Sequence, residues 1–383
     1  MLYTIPDYYF NFQCVGKSCP STCCGGWQIS IDPSSLRKYR KMKEPLRSRL
    51  ENEIDWKHAC FRQYEGRCAF LNDENLCDLY LEGGGEKAFC KACRIFPRHV
   101  EEFPGVRELS LSLSCPIAAR MLLLQEHPTR FLRIKKDRQE KPFRNFDFSL
   151  FVPLMQTRTV LIRILQNRQK PFRLRAAVSL ALAHDLQLRI DRRTFSQIKP
   201  LLHRYSSAKV WEWFENRLRT LDFSAEHQTF MYRRLLSVFD HLRVLREDWE
   251  PYLCQARKIL HTSGIPAPQT HAAFYEIFTE QIAEQLLLYF VFIYFGGSAY
   301  HGNAFGEMKF SFVCAILIRE LSRAQWLLNP DNMTKDSIIE AACRFSREIE
   351  HSDHNKEKMD QMLNDQTVWN LENLLLFLWK EET

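Results

Sequence analysis

Ten of the chain's thirteen cysteines stand before residue 116: Cys14, Cys19, Cys23, Cys24, Cys60, Cys68, Cys77, Cys90, Cys93 and Cys115. Thiolates at this density serve a disulfide framework, a zinc site or an iron–sulfur cluster. The first group reads Cys14-x4-Cys19-x3-Cys23-Cys24-Gly25-Gly26. Gaps of four and three residues let a looping backbone turn several thiolates toward one point, and the glycines let that backbone come close to what is bound. Adjacent Cys23 and Cys24 would point apart in a strand. Both can serve one centre only in an irregular loop; otherwise one of them packs or serves a second centre. The second group is Cys68, Cys77, Cys90-x-x-Cys93 and Cys115-Pro116. Taken alone, Cys90-x-x-Cys93 suits zinc, redox or cluster chemistry. The two groups together exceed what one tetrahedral zinc needs, so either two sites exist or several cysteines are not ligands. In a double-zinc arrangement His58 and His99 are candidate substitutes for thiolates.

The remaining sequence narrows these choices. Met1 to Tyr8 offers neither a basic n-region nor an unbroken apolar run, so no secretory signal is read there and a cytoplasmic protein is expected. A chain of 383 residues buries a large core without covalent staples, and a reducing cytosol disfavours disulfides. Metal or cluster binding gains accordingly. Only 13 glycines implies few tight turns and many helices. The formal charge of +7 concentrates at Arg37 to Lys43 and at Arg130 to Arg144. Neither stretch carries a nucleic-acid-binding signature, so nucleic acid is not expected, whereas an acidic protein partner fits. The most apolar run, Leu286 to Phe295, is shorter than the roughly 20 residues a bilayer requires. It reads as a buried helix, and no membrane span is expected.

The elements that must position the cysteines follow from periodicity. Asp32 can cap and Pro33 can occupy the first turn of a basic helix reaching about Glu53. Val210, Trp211, Phe214, Leu218 and Leu221 share one helical face; Ile338 to Ile349 and Val368 to Trp379 give two further stripes. Aromatic residues at such spacing, among them Trp213, Tyr289, Phe290, Phe292 and Tyr294, are assigned to the core rather than to a groove. Cys254, Cys314 and Cys343 lie within apolar helical patterns and read as small buried hydrophobes. The expected architecture is mainly α. An irregular cysteine-rich metal- or cluster-binding domain spans 1–126, a basic linker with Pro128 and Pro142 spans 127–147, and an α-helical domain spans 148–383.

The cysteine pattern, continued by Cys68-x-Phe70-Leu71, Cys77, Cys93-Arg94-x-Phe96-Pro97-Arg98 and Leu113-Ser114-Cys115-Pro116, resembles the flagellin lysine N-methylases. The stretch Glu284 to Phe290 is similar as well, and the first half of the pattern is shared with a broader zinc- or iron-chelating cysteine-cluster family. The resemblance implies metal ligands among Cys14, Cys19, Cys23, Cys24, Cys68, Cys77, Cys93 and Cys115, with Cys60 and Cys90 outside the pattern. It further implies methyl transfer from S-adenosylmethionine to lysine ε-amino groups of flagellin, with a [4Fe–4S] cluster, and a helical part that shapes the protein-substrate site.

Physical sense can be asked of each implication. Glu82-Gly83-Gly84-Gly85 mimics a dinucleotide-binding turn, yet no alternating strand and helix pattern surrounds it. The Cys-x3-Cys-x2-Cys arrangement of radical enzymes begins at Cys19 and Cys23 but meets Gly26 at its third position. A cluster with three cysteine ligands would still leave one iron open to the donor, built from other thiolates. Only roughly one lysine in a few thousand is neutral at pH 7, and only the neutral amine attacks a methyl group. Tyr8, Tyr9, Asp73 and Glu86 are unranked candidates for the base, and Arg94 and Arg98 are candidates for a donor carboxylate. Two other functions stay open: a zinc-stabilised adaptor gripping a protein partner, and an electron-transfer iron–sulfur protein.

Overall fold

The computed structural model describes residues 1–137, 143, 146–264 and 268–378. Local signals act as their chemistry requires. The Asp32 carboxylate accepts the Ser35 N–H at 3.0 Å, and Pro33 opens the helix Pro33–Tyr39. The basic helix expected to reach Glu53 is two helices, because the chain breaks after Tyr39 and Pro45 precedes a second segment, Leu46–Glu53. Two-stranded ribbons follow, Ile54–Asp55 with Cys60–Phe61 and Gln63–Tyr64 with Arg67–Cys68. Around them Ile29, Ile31, Tyr39, Leu50, Phe61 and Phe70 form a small apolar core of their own.

The expectation of an irregular N-terminal part needs amendment, since a four-stranded mixed sheet stands there. Leu2–Pro6 lies inside it, parallel to Val106–Leu111 (Thr4 opposite Glu108) and antiparallel to Phe131–Lys135 (Tyr3 opposite Ile134). Arg98–Phe103 completes the other edge, joined to Val106–Leu111 by a tight turn in which Gly105 takes φ 73°. The strand Phe131–Lys135 falls within the stretch expected as linker; residues 138–142 and 144–145 of that stretch lie outside the described residues. Phe103, Leu111 and Leu113 join the large core of the helical part, so the sheet packs with the helices.

Helix makes up 62% of the fold. At its centre runs Ala304–Leu328, buried along nearly its whole length against Phe172–Asp191, Glu280–Tyr294 and Lys335–Ile349. Phe148–Leu165 and Glu280–His301 have the length and composition of a membrane span; the second is 78% buried in the protein and the first 50%. Within the second, fully buried Glu284 meets Arg175 at 2.5 Å and Arg168 at 2.9 Å, which satisfies the charge. Val210, Phe214 and Leu218 face the core as their spacing predicts. Trp213, assigned to the core from sequence, is exposed, as is Cys254; each sits on the outer face of its helix, where the apolar stripe does not reach. Cys314 and Cys343 are buried as expected, and Trp379 lies outside the described residues.

Two buried arginines join the parts. Arg158 donates to both oxygens of Glu108 on the sheet, at 2.7 Å for one of them, and to the Phe292 carbonyl at 3.0 Å. Arg347 donates to the Ser114 carbonyl at 2.9 Å and to the Ser21 hydroxyl at 2.6 Å, linking the Lys335–Ile349 helix to the first cysteine loop. Removing one partner of a buried pair strands the other charge. Arg158→Met is therefore expected to lower the unfolding free energy by about 3–5 kcal/mol, measured by urea denaturation. The double variant Glu108→Met/Arg158→Met is expected to recover most of that loss.

Candidate active site

The first cysteine loop is a run of bends rather than a strand, and in it the Cys23 and Cys24 sulfurs stand 3.9 Å apart. Backbone pairing then brings the second group to it. The Cys68 N–H donates to the Cys24 carbonyl at 2.8 Å, Leu71 bridges to Cys77, and the Cys90 and Cys93 sulfurs are 3.5 Å apart at the start of the Lys91–Ile95 helix. Electrostatics records the gathering. The Cys24 thiol is pushed far up by its hydrogen bond with Cys23, by burial and by the charges of Cys23, Cys68 and Cys77. Cys93 is raised likewise by Cys90, burial, Cys24 and Cys68. Their partners take up the negative charge: hydrogen bonding lowers Cys23 and Cys90 to about 7 each.

A second set lies beside Arg347. Burial raises Cys115 to about 11, helped by the charges of Cys19 and Cys23. Burial also raises Cys19, where Cys23 and Cys14 add to the effect and Arg347 opposes it. Arg347 keeps one nitrogen, Nη2, buried without a hydrogen-bond partner. Cys24, Cys68, Cys77 and Cys93 thus stand near one another, and Cys23, beside Cys24, also stands near Cys19 and Cys115. Among the described residues no three donors already converge on single-ion geometry. Cys90 belongs beside Cys93, while Cys60 accepts from Gln28 at 3.0 Å. His58 bonds to Asp55 and His99 faces Glu101, so neither histidine joins the thiols. Gly26 adopts φ 81°, and a Cβ there would meet the Arg246 side chain at 2.5 Å. What this glycine admits is an arginine of the helical part.

Between the Cys90–Cys93 turn and the helices opens a cleft of about 670 Å³. Its walls are aromatic, from Trp27, Phe96, Tyr294 and Tyr300, and its charged groups are mixed, the carboxylates Asp32, Glu101, Glu307 and Glu350 standing with the cations Lys91, Arg98 and Lys356. On the floor, half-buried Glu350 accepts from the Tyr289 hydroxyl at 3.0 Å, from Tyr294 at 2.9 Å and from Ser346. Burial raises its carboxyl above the ordinary range, as it does for Glu307 and Glu101. The His351 ring packs between Trp27 and Phe96, centroids 5.0 and 6.2 Å away. Burial and the cations Arg347 and Lys356 lower it to about 4, so it is neutral at physiological pH. Its Nε2 lies 3.1 Å from the Ser114 hydroxyl and its Nδ1 is buried without a hydrogen-bond partner. A further groove of about 460 Å³ is lined by Phe172, Tyr275, Phe278 and Phe312.

Sequence reasoning anticipated part of this site. Arg98 lines the cleft, its guanidinium over the Tyr9 and Phe12 rings, whereas exposed Arg94 donates to the Phe89 carbonyl. Tyr8 is buried beside Tyr289 in a separate small cavity, and Asp73 and Glu86 are exposed. Tyr289 and Tyr294 pack with the core as assigned, and their hydroxyls also reach the cleft as its polar floor. Glu350 and His351 were missed; the only available signal was two polar groups ending the Ile338 to Ile349 stripe. In metal-free, reduced protein, exposed Cys23 is expected to alkylate with a midpoint near 7 while buried Cys68, pushed up to about 12, stays protected. Pulsed alkylation across neutral pH with peptide mass mapping checks the order.

The sequence model of the FliB lysine N-methylase C-terminal domain matches residues 158–377, which carry Tyr289, Tyr294, Glu350 and His351 but not the cysteine wall. The chain is 29% identical over 129 residues to the flagellar biosynthetic protein FliU of Salmonella muenchen, a match covering 31% of this chain and 76% of that one. It is equally similar to the lysine-N-methylases of Salmonella choleraesuis and Salmonella typhimurium, spanning 32% of the length of each. No solved structure matches. With a match running through more than half of its length, the chain belongs to the FliB lysine N-methylase family.

Proposed function

We propose that this protein methylates lysine ε-amino groups of flagellin in the cytoplasm, taking the methyl group from S-adenosylmethionine beside a cysteine-ligated [4Fe–4S] cluster. One observation carries the reading: an aromatic cleft with four carboxylates, whose helical wall lies in the family match, is lined on its other side by Lys91 and Ala92 from the turn between Cys90 and Cys93. Aromatic faces and carboxylates suit both an ε-ammonium and a sulfonium, and they exclude water from the transfer. Arg98 at the cleft presents a guanidinium to the donor carboxylate.

The donor chemistry of the residues present fits a cluster. Cys24, Cys68, Cys77 and Cys93 are all thiols, each burdened by the charge of others, so a cation-rich centre relieves what burial opposes. The proposed ligands are three of these four, which leaves one iron without a thiolate, with Cys90 beside them and Cys14, Cys19, Cys23 and Cys115 as the alternative. When bound, the cluster would supply an open iron for the amino and carboxylate groups of the donor. The chain's own part is to hold the donor against Arg98 and the aromatic walls and to present the lysine as a neutral amine. A zinc-held form is the second reading, because sulfur pairs 3.5 and 3.9 Å apart match the roughly 3.8 Å expected around tetrahedral zinc.

Anaerobic purification followed by iron, acid-labile sulfide and zinc analysis separates the two. About four irons with matching sulfide are expected. Incubation with flagellin and S-adenosylmethionine should yield methylated lysines by peptide mass spectrometry. Cys24→Ser and Cys93→Ser are expected to lose both iron and transfer, whereas Cys254→Ser, at an exposed thiol, retains both. Zinc without labile sulfide overturns the cluster, and unmodified flagellin overturns the activity.

A further inference from the structure

We infer that Glu350, flanked by Tyr289 and Tyr294, is the seat of the substrate's ε-ammonium and the base that removes its proton. The inference rests on the lysine-methylation reading and names a residue for it. An ionised carboxylate offers about four acceptor positions. Three hydroxyls, those of Tyr289, Tyr294 and Ser346, supply the donors Glu350 has, which leaves room for one more. No Lys, Arg or His forms an ion pair with it among the described residues: nearby Lys356 is held by Asp353 at 2.8 Å. The hydrogen-bond donors to Glu350 are all neutral, the Lys356 charge acting on it without an ion pair, and it lines a cleft whose rings favour a cation.

Tyr289 and Tyr294 fix the carboxylate from one helix, Glu280–Tyr294, while the Tyr289 hydroxyl also accepts the Leu113 N–H at 3.3 Å. The base is thus held rigid. The step balances simply. Glu350 takes one proton from the ε-ammonium, leaving the nitrogen lone pair free. That lone pair forms the N–CH₃ bond as the donor's S–CH₃ bond breaks, its electron pair returning to sulfur as a thioether. Enclosure away from water penalises both the ammonium and the carboxylate, which draws the proton from the first to the second.

Other charged or titratable groups face Glu350. They are Glu307 and Cys314 on Ala304–Leu328, Lys356 on the Asp353–Leu363 helix, His99 and Glu101 on their strand, and adjacent His351. The test therefore uses substitutions rather than pH alone. Transfer to full-length flagellin is measured against pH for wild type, Glu350→Gln and Tyr294→Phe, each with its thermal midpoint. Binding of n-butylammonium is measured by calorimetry on the same proteins. Glu350→Gln is expected to slow transfer about a hundredfold, to abolish the acidic limb of the rate profile and to weaken n-butylammonium binding. Tyr294→Phe removes a donor to the ionised form, so the acidic limb moves to higher pH. If Glu350→Gln fails to fold, the displaced limb of Tyr294→Phe decides. An unchanged profile, rate and binding in either folded variant overturns the inference while wild-type transfer preserves the methylase reading. Wild-type protein that binds n-butylammonium through Glu350 but leaves flagellin unmodified upholds the seat and overturns the methylase reading.

Discussion

The Arg347 guanidinium decides how the two unlike halves of this protein meet. It is almost fully buried, and it spends its donors on one carbonyl and one hydroxyl from the cysteine-bearing segments. Burial works against a cation in that position, and of the thiols around it Cys23, lowered to about 7, is the one that carries negative charge near neutral pH. Arg246 repeats the tie at the edge, donating to the Gly25 carbonyl at 3.3 Å. Neither contact could form if the helical part were an independent bundle. The cysteine loop has its own small core but takes its orientation from the helices.

One helix organises the consequences. Lys335–Ile349 carries Arg347 toward the thiols, and at its end the chain presents Glu350 and His351 to the cleft. The cysteine loop and the cleft floor are thus set by residues only four apart in sequence. The neighbouring helix Glu280–Tyr294 contributes Glu284 to a buried ion pair at one end and two hydroxyls to the cleft at the other. Its rigidity is therefore inherited by the site.

Local rules made much of this legible. Cysteine crowding, the Asp32 cap and the stripes at Val210 and Ile338 could be read without neighbours, because thiol spacing and helical period are properties of short segments. What escaped depends on distant partners. The central place of Leu2–Pro6 in the sheet rests on pairing with residues 106–111 and 131–135, which no local pattern announces. Tyr289 and Tyr294 sit in an apolar run whose spacing says core, and the hydroxyls reveal their role only once Glu350 arrives from another helix. Trp213 and Cys254 show the converse error, in which apolar type was taken for burial although each occupies the outer face of its helix.

The interior place of Leu2–Pro6 also sets a timetable for synthesis. Both of its neighbouring strands emerge from the ribosome long after it does, and Arg347 emerges later still. Domains fold as they are made, at roughly 5–20 residues per second, so the nascent cysteine loop stays open to solvent for many seconds before the helical part can close on it. That interval, in which the thiols remain accessible, closes when translation passes the helix that carries Arg347.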